Sequence, residues 1–399
     1  MRTTVIVTIL LILAAFPASM QATILSSRGA GDPSPGMDAR ALGMGGVSVS
    51  LASPHHIGLM NPASLIYTDV TRLLVQGSFK RSRFEDLSGR ADFQDANFNA
   101  FIFFVPLGSG IGFSTALYPL SDINYFHESA GKNDDVNVLE TVEGDGGLNN
   151  FSMGLSFGLT RFFSLGFDFR YIFGKFLEAW KIDYPDNDFN NTMDKFYTWN
   201  RGFTVRMGFI LKPFSSLTLG GVYSPALGIK NETDTYFEGF GQSSETLKGS
   251  IRLPDKWILG LSHDFGNWMT AGIEIANRDW SRFEINGEPL EHGCRVLRVS
   301  AGLELFSHRD QDAPYLKKVS YRIGYSTQPY FVTDLYENEF REQWLTLGLG
   351  IPLFMDASEF NLAFGFGRRG SLEKNQFAEN LFRVTLSFTG SEKWFSRRY

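Results

Sequence analysis

The chain has a single cysteine in 399 residues, Cys294. A lone thiol forms no disulfide within the chain and offers no cysteine-based metal cluster, so Cys294 reads as an ordinary small residue. There is no second apolar run of the length a bilayer-spanning helix needs, about 18 residues or more, so the chain is not a helical membrane protein. Charged residues make up only 20% and the net charge is a mild -6. No basic stripe or RNA-binding aromatic motif occurs, so nucleic acid is not expected as a partner. Strong helix formers dominate no long window. What is plentiful is glycine, 41 residues, and phenylalanine, 38.

The start carries a targeting signal. Arg2 precedes an apolar run from Val5 to Phe16, followed by Pro17 and small residues to Ala22. A charged n-region, a short h-region and small residues describe a secretory signal peptide over residues 1–22, with cleavage expected after Ala22. No cysteine lies near that site, so a lipid anchor is not expected.

Beyond residue 70 the chain alternates apolar with small or polar residues, the period of a half-buried strand. Fourteen strands are expected near 71–84, 95–106, 110–119, 149–160, 164–173, 197–211, 216–225, 255–264, 268–277, 295–306, 318–328, 342–353, 359–369 and 379–390. Phe151, Met153, Leu155, Phe157 and Leu159 share one face; Ser152, Gly154, Ser156 and Gly158 share the other. Leu165, Phe167, Phe169 and Tyr171 oppose Gly166, Asp168 and Arg170, because side chains alternate across a strand.

Alternation alone leaves open which face is inside. A closed sheet of this many strands encloses a lumen too wide for side chains to fill, so an apolar interior would leave a void. The polar faces carry Asp168, Arg170, Arg206, Glu274, Arg298, Glu304, Arg322 and Arg383, which suit a wet or plugged interior. The apolar faces therefore meet lipid, and the fold class is all-β: a closed antiparallel transmembrane β-barrel over 71–399. Links after even-numbered strands read as mostly short, with 307–317 the exception; those after odd-numbered strands (120–148, 174–196, 226–254, 278–294, 329–341) read as long. That parity places both termini on the periplasmic side. Tyr118, Tyr171, Tyr223, Trp257, Trp268, Tyr321, Trp344 and Trp394 fall near strand ends and are expected as interfacial girdles.

Residues 23–70 do not alternate. They contain ARALGMGGVSVSLA from Ala39 and MNPASLI from Met60. Gly43, Gly45 and Gly46 permit tight paths and close approach, and Asn61-Pro62 initiates a turn. Such a segment cannot build a core of its own; filling the lumen as a hatch is the economical solution.

These two runs resemble the N-terminal signature of the FadL/TodX-type outer-membrane transport proteins and their PorV-like relatives. LPDKWILGL from Leu253, NRDWSRF from Asn277, YRIGY from Tyr321 and the tail EKWFSRRY from Glu392 are similar to further family segments. The resemblance implies a fourteen-stranded barrel with an N-terminal hatch in its lumen, and marks Gly43, Met44, Gly45, Gly46, Asn61, Pro62 and Ala63 as hatch positions. It implies passive uptake of hydrophobic small molecules, of the long-chain fatty acid or hydrocarbon class, through an outer membrane. The alternative it implies is a PorV-like component of a protein secretion or surface-attachment machine, with secretion proteins as partners. Family members can release cargo sideways at a kink of the third strand. Here Gly108, Gly110, Gly112 and Pro119 mark that strand as a possible lateral gap, since such residues interrupt ladders.

Catalytic signatures fail on context. GLSFG at 154–158 matches GxSxG but sits mid-strand, where no nucleophile elbow forms. GFGRRG at 365–370 matches GxGxxG with no helix after it to hold a phosphate. His55-His56 lacks acidic or thiol partners at ligand spacing. The acidic stretch 131–146 reads as a solvated loop. No enzyme, metal or cofactor is expected.

Overall fold

The computed structural model describes residues 24–87, 89–133, 136–185, 189–238, 245–306, 314–334, 336–353 and 358–393. The leader at 1–22 and, apart from Lys393, the basic tail with Trp394 lie outside the described residues.

Period-2 alternation becomes fourteen antiparallel strands. They are β1 (Thr71–Asp86), β2 (Arg90–Gly108), β3 (Ile111–Pro119, resuming at Ser121–Asn133), β4 (Val136–Gly158), β5 (Phe163–Asp183), β6 (Thr192–Phe214) and β7 (Leu217–Ser224, resuming at Leu227–Glu238). Then follow β8 (Glu245–Leu253, resuming at Lys256–Phe265), β9 (Met269–Asp279), β10 (Arg295–Leu305), β11 (Ser320–Pro329), β12 (Arg341–Leu353), β13 (Ser358–Ser371) and β14 (Phe377–Glu392). Each strand pairs with the next, and β14 returns to β1 from Thr71↔Glu392 through to Asp86↔Phe377. The closure matters because lipid offers no hydrogen bonds to a free sheet edge.

The side chains sort by parity. Met153, Phe169, Phe203, Leu259, Ile273 and Leu345 are exposed on the outer face. Ser156, Asp168, Arg206, Glu274, Glu304 and Arg322 are buried on the inner face. An apolar exterior around a charged interior is stable only in lipid. Two expected girdle residues do not belong to that exterior. Tyr118 (2% exposed) and Trp344 (8%) point into the lumen, because Tyr118 shares the face of Gly112, Ser114 and Ala116, and Trp344 that of Glu342 and Thr346.

The long links expected at 120–148, 174–196 and 226–254 are largely strand. β4 and β6 each run 23 residues, about twice what crosses a bilayer. The barrel wall therefore continues beyond the membrane on the side of the odd-numbered links. There neither face meets lipid, so the apolar contrast fades while backbone pairing persists. The links after β1 and β3 span only about three and two residues, and those after β5, β9 and β11 are longer on that side.

Three strands are interrupted: β3 at Leu120, β7 between Ser224 and Leu227, and β8 between Leu253 and Lys256. Pro225 and Pro254 stand at the last two breaks and lack the N–H a ladder needs. The β2–β3 ladder runs from the base only as far as Phe101↔Leu117. Above it, β3 pairs with β4 on one edge and with Asp32–Pro33 of the N-terminal segment on the other.

Phe169 lies mid-way along the outer face of β5. Phe169→Arg should cost about 2–4 kcal/mol in refolding into a bilayer, read as a lowered denaturant midpoint. Thr204→Ala, on the inner face, should shift it by under about 1 kcal/mol. Equal effects would contradict the assignment of faces.

Candidate functional site

Residues 24–70 thread the interior. Ser26 donates to the Asn124 carbonyl at 2.7 Å, and Asp32–Pro33 pairs with Ser121 and Asp122. A short helix, α1 (Ala39–Gly43), follows Asp38, whose carboxylate accepts from the Ala41 N–H at 3.1 Å. That satisfies one of the unpaired donors of the first turn. Burial alone would raise the Asp38 pKa. The His56 ring, 2.9 Å away, and the Ala41 N–H outweigh it and hold the group at about 2. His56 thus braces the entry to the helix, and His55 contributes a backbone N–H to Ser53. Among the described residues no three His, Cys, Asp or Glu side chains gather as a metal site.

The segment lies directly on the wall where the wall has no side chains. Gly45 takes φ +68° and Gly46 φ +93°, a backbone region open to glycine. Gly45 donates to Thr346 Oγ1 at 3.0 Å, and the same hydroxyl donates to the Gly43 carbonyl at 3.1 Å. Facing them are Gly302 and Gly324, register partners on β10 and β11. A Cβ on Gly324 would sit 2.0 Å from the Gly45 nitrogen, and one on Gly302 would sit 2.3 Å from the Met44 oxygen. The Asn61-Pro62-Ala63 turn rests on a second such pair, Gly166 and Gly208. Cβ atoms there would meet the Ala63 nitrogen at 2.3 Å and Asn61 Oδ1 at 2.2 Å. Between them, Val49 lies on the partners Gly220 and Gly260.

Polar groups fasten what the glycines admit. Asn61 accepts from the Ala63 N–H at 3.0 Å and donates to the carbonyls of Val49 (2.7 Å) and Phe209 (3.0 Å). One carboxylate oxygen of Glu274 accepts from the Ser48 N–H, the Ser48 hydroxyl and the Val49 N–H, while the other takes Arg298. Arg40 reaches Glu304 through Nε and Nη2 (3.1 and 2.5 Å), and Arg322 meets the same carboxylate at 2.7 Å. Arg206 pairs with Asp168 and donates to the Leu59 carbonyl at 3.0 Å. Buried charges persist only when paired in this way.

All seven positions marked from the sequence thus occupy two stretches of one segment, each seated on paired wall glycines. The sequence did not single out Arg40, although it lies within the quoted run. Nor did it reveal the glycine pairs, which are visible only once strand registers are known. The four third-strand positions are placed differently. Gly108 and Gly110 form the β2–β3 base turn at φ +87° and +74°, and Gly112 is paired between Pro106 and Ser156. Pro119 ends the lower half of β3, one residue before the break. Ser156 of GLSFG is buried mid-strand and donates to the Gly112 carbonyl; Gly365 and Gly367 lie under the Trp344 ring within β13. Burial foremost, with nearby Glu339 and Asp279, pushes the Cys294 thiol up to about 11, so it is not a reactive thiolate.

Above the segment lies a cavity of about 230 Å³. Leu42, Met60, Val222, Ile258 and Ala276 give it an apolar side; Arg170, Lys256 and Arg278 give it a cationic one. Chemically the arrangement can shelter a small apolar or amphiphilic molecule.

Gly324→Val should unseat the segment while the ring of strands still closes. The expected outcome is a heat-modifiable band as in the wild type, with residues 24–70 cleaved by added protease at least several-fold faster. Unchanged protection would show that Gly324 is not part of the seat.

The folds of solved outer-membrane channels are similar to this one. A Pseudomonas aeruginosa FadL homologue aligns over 90% of this chain and 99% of its own, with a TM-score of 0.64 at 13% identity. The Pseudomonas putida toluene transporter TodX aligns over 91% and 99%, with a TM-score of 0.58 at 14% identity. The Ralstonia pickettii toluene transporter TbuX aligns over 90% and 98%, with a TM-score of 0.58 at 10% identity. The FadL/TodX-type resemblance of the two N-terminal runs therefore extends to the whole barrel. No curated protein matches the chain. The BamG family model matches residues 1–399, and the chain belongs to the BamG family.

Proposed function

We propose that this protein is an outer-membrane channel for passive uptake of hydrophobic small molecules. In this reading residues 23–70 are the hatch and residues 71–399 the barrel, with both termini periplasmic. The short base links share a side with the ends of the barrel, which supports that orientation. The observation that carries the function is the partly apolar cavity left between segment and wall. A plain pore would have no use for a lumen filled to that point, and a purely structural barrel would have no use for the space. The fold neighbours described as toluene transporters support the same class of cargo.

The exit would be lateral, where β2 and β3 part company above Phe101 and Leu117. Gly108, Gly110 and Gly112 sit below that point as a paired base, and Pro119 marks its lower rim. Widening or closing the gap would then fall to Asp32–Pro33, which occupies the free edge of β3. Substituting Gly110 or Gly112 would strain the base hairpin rather than probe the gap, because a Cβ on Gly112 would meet the Phe104 ring at 2.5 Å. The secretion-machine alternative rests on the 392–399 tail, most of which lies outside the described residues, and nothing in the described structure favours it.

Native mass spectrometry of detergent-purified protein tests the reading. The wild type should retain a small hydrophobic or amphiphilic molecule, and Ala276→Trp, which fills the cavity, should lose it while keeping a heat-modifiable barrel. A barrel that carries no such molecule and passes none into liposomes would overturn it.

A further inference from the structure

Lys256 and Arg278 stand directly opposite each other in the β8–β9 register, both on the inner face. Like charges at opposed positions destabilise a sheet. Neither side chain has a carboxylate within salt-bridge distance among the described residues, and the buried Nε of Arg278 has no hydrogen-bond partner. Arg170, buried on β5, adds a third positive charge to the same cavity. Its Nε is spent on Asn150 at 2.8 Å, and it too lacks a carboxylate at salt-bridge distance. The neighbouring acids do not balance the three. Glu274 is already committed to Arg298, Ser48 and Val49, the cavity-lining Asp32 and Glu342 are committed to Arg369, and Asp255 acts on Arg278 from beyond salt-bridge distance.

Five other lumen cations behave differently. Arg40, Arg206, Arg298, Arg322 and Arg369 each close on a carboxylate at contact distance. Around one cavity Lys256, Arg278, Arg170 and also Arg383, which lies over the Trp344 ring, have no such carboxylate among the described residues, at a cost that an anionic ligand would offset.

We propose that this cavity is a binding site for a phosphate monoester group. The proposal rests on the channel reading and specifies the polar end of its cargo. A carboxylate brings one negative charge and two oxygens. A phosphate monoester brings between one and a half and two charges at neutral pH and three strong acceptor oxygens. That matches an ammonium, a guanidinium with a free Nε, and a second guanidinium. The apolar side of the cavity, with Ile258 and Ala276 on the strands of Lys256 and Arg278 and Val222 on the neighbouring β7, is placed to take an alkyl or aryl tail.

The test measures binding to the full mature protein in a non-ionic detergent, by quenching of the tryptophan emission to which the cavity residues Trp280 and Trp344 contribute. The probes are dodecyl phosphate, dodecanoate, dodecane and inorganic phosphate. Dodecyl phosphate should bind roughly tenfold or more tighter than dodecanoate, as expected for one additional charge-assisted contact. In Lys256→Met and in Arg278→Gln that ratio should fall towards one, and Arg278→Lys should restore part of it. Inorganic phosphate binding as tightly as dodecyl phosphate would identify a free anion as the occupant; much weaker binding would identify a tailed ester. Dodecane and dodecanoate binding with no preference for phosphate would overturn this site while leaving the channel reading intact. No binding of any probe would overturn both.

Discussion

The structure depends on a place where side chains are missing. On the inner wall, paired glycines on neighbouring strands leave bare backbone, and the N-terminal segment lies on it at distances no Cβ would allow. Everything else follows from that contact. It brings the Ser48 and Val49 N–H groups within reach of Glu274, Arg40 within reach of Glu304, and the Leu59 carbonyl within reach of Arg206. Without the close approach these inward charges would face water or each other; with it they are satisfied by a segment that has no core of its own. The fastening is distributed over backbone and side-chain groups on eight consecutive strands, β5 to β12, so no single bond holds the segment.

The strand interruptions are the second consequence of having something inside. At Leu120 the third strand leaves its neighbour and takes up Asp32–Pro33 instead. At Pro225 and Pro254 two adjacent strands break at one level, and the cavity opens beside them. The regular part of the barrel is the membrane-facing part. The irregular part gathers where the segment, the cavity and the changed pairings meet, which is where a channel would control passage.

Much of this was legible in the sequence, and the boundaries of what was legible are physical. Fourteen strands and the inner and outer faces follow from period-2 alternation, because lipid on one side and charge on the other impose a sharp contrast. The contrast ends at the membrane surface, so the upper halves of β3 to β8 read as loops although their ladders continue. The outward expectation for Tyr118 and Trp344 rests on aromatic type and nearness to strand ends, while their own parity places them inside with Ser114 and Thr346. The N-terminal segment stood out by its lack of alternation. Its seat did not, because Gly302 with Gly324 and Gly166 with Gly208 are separated in sequence and become neighbours only through register. Lys256 and Arg278 were equally opaque: 22 positions apart, they are opposed only once β8 and β9 pair.

The central claim is that the segment occupies the lumen and that passage runs past it rather than through an open pore. Ion conductance of the full-length chain in a planar bilayer addresses it most directly. The account expects no steady porin-like current from the intact protein, and a large current once residues 24–67 are removed from a barrel that still closes. A steady large conductance from the intact protein would contradict it.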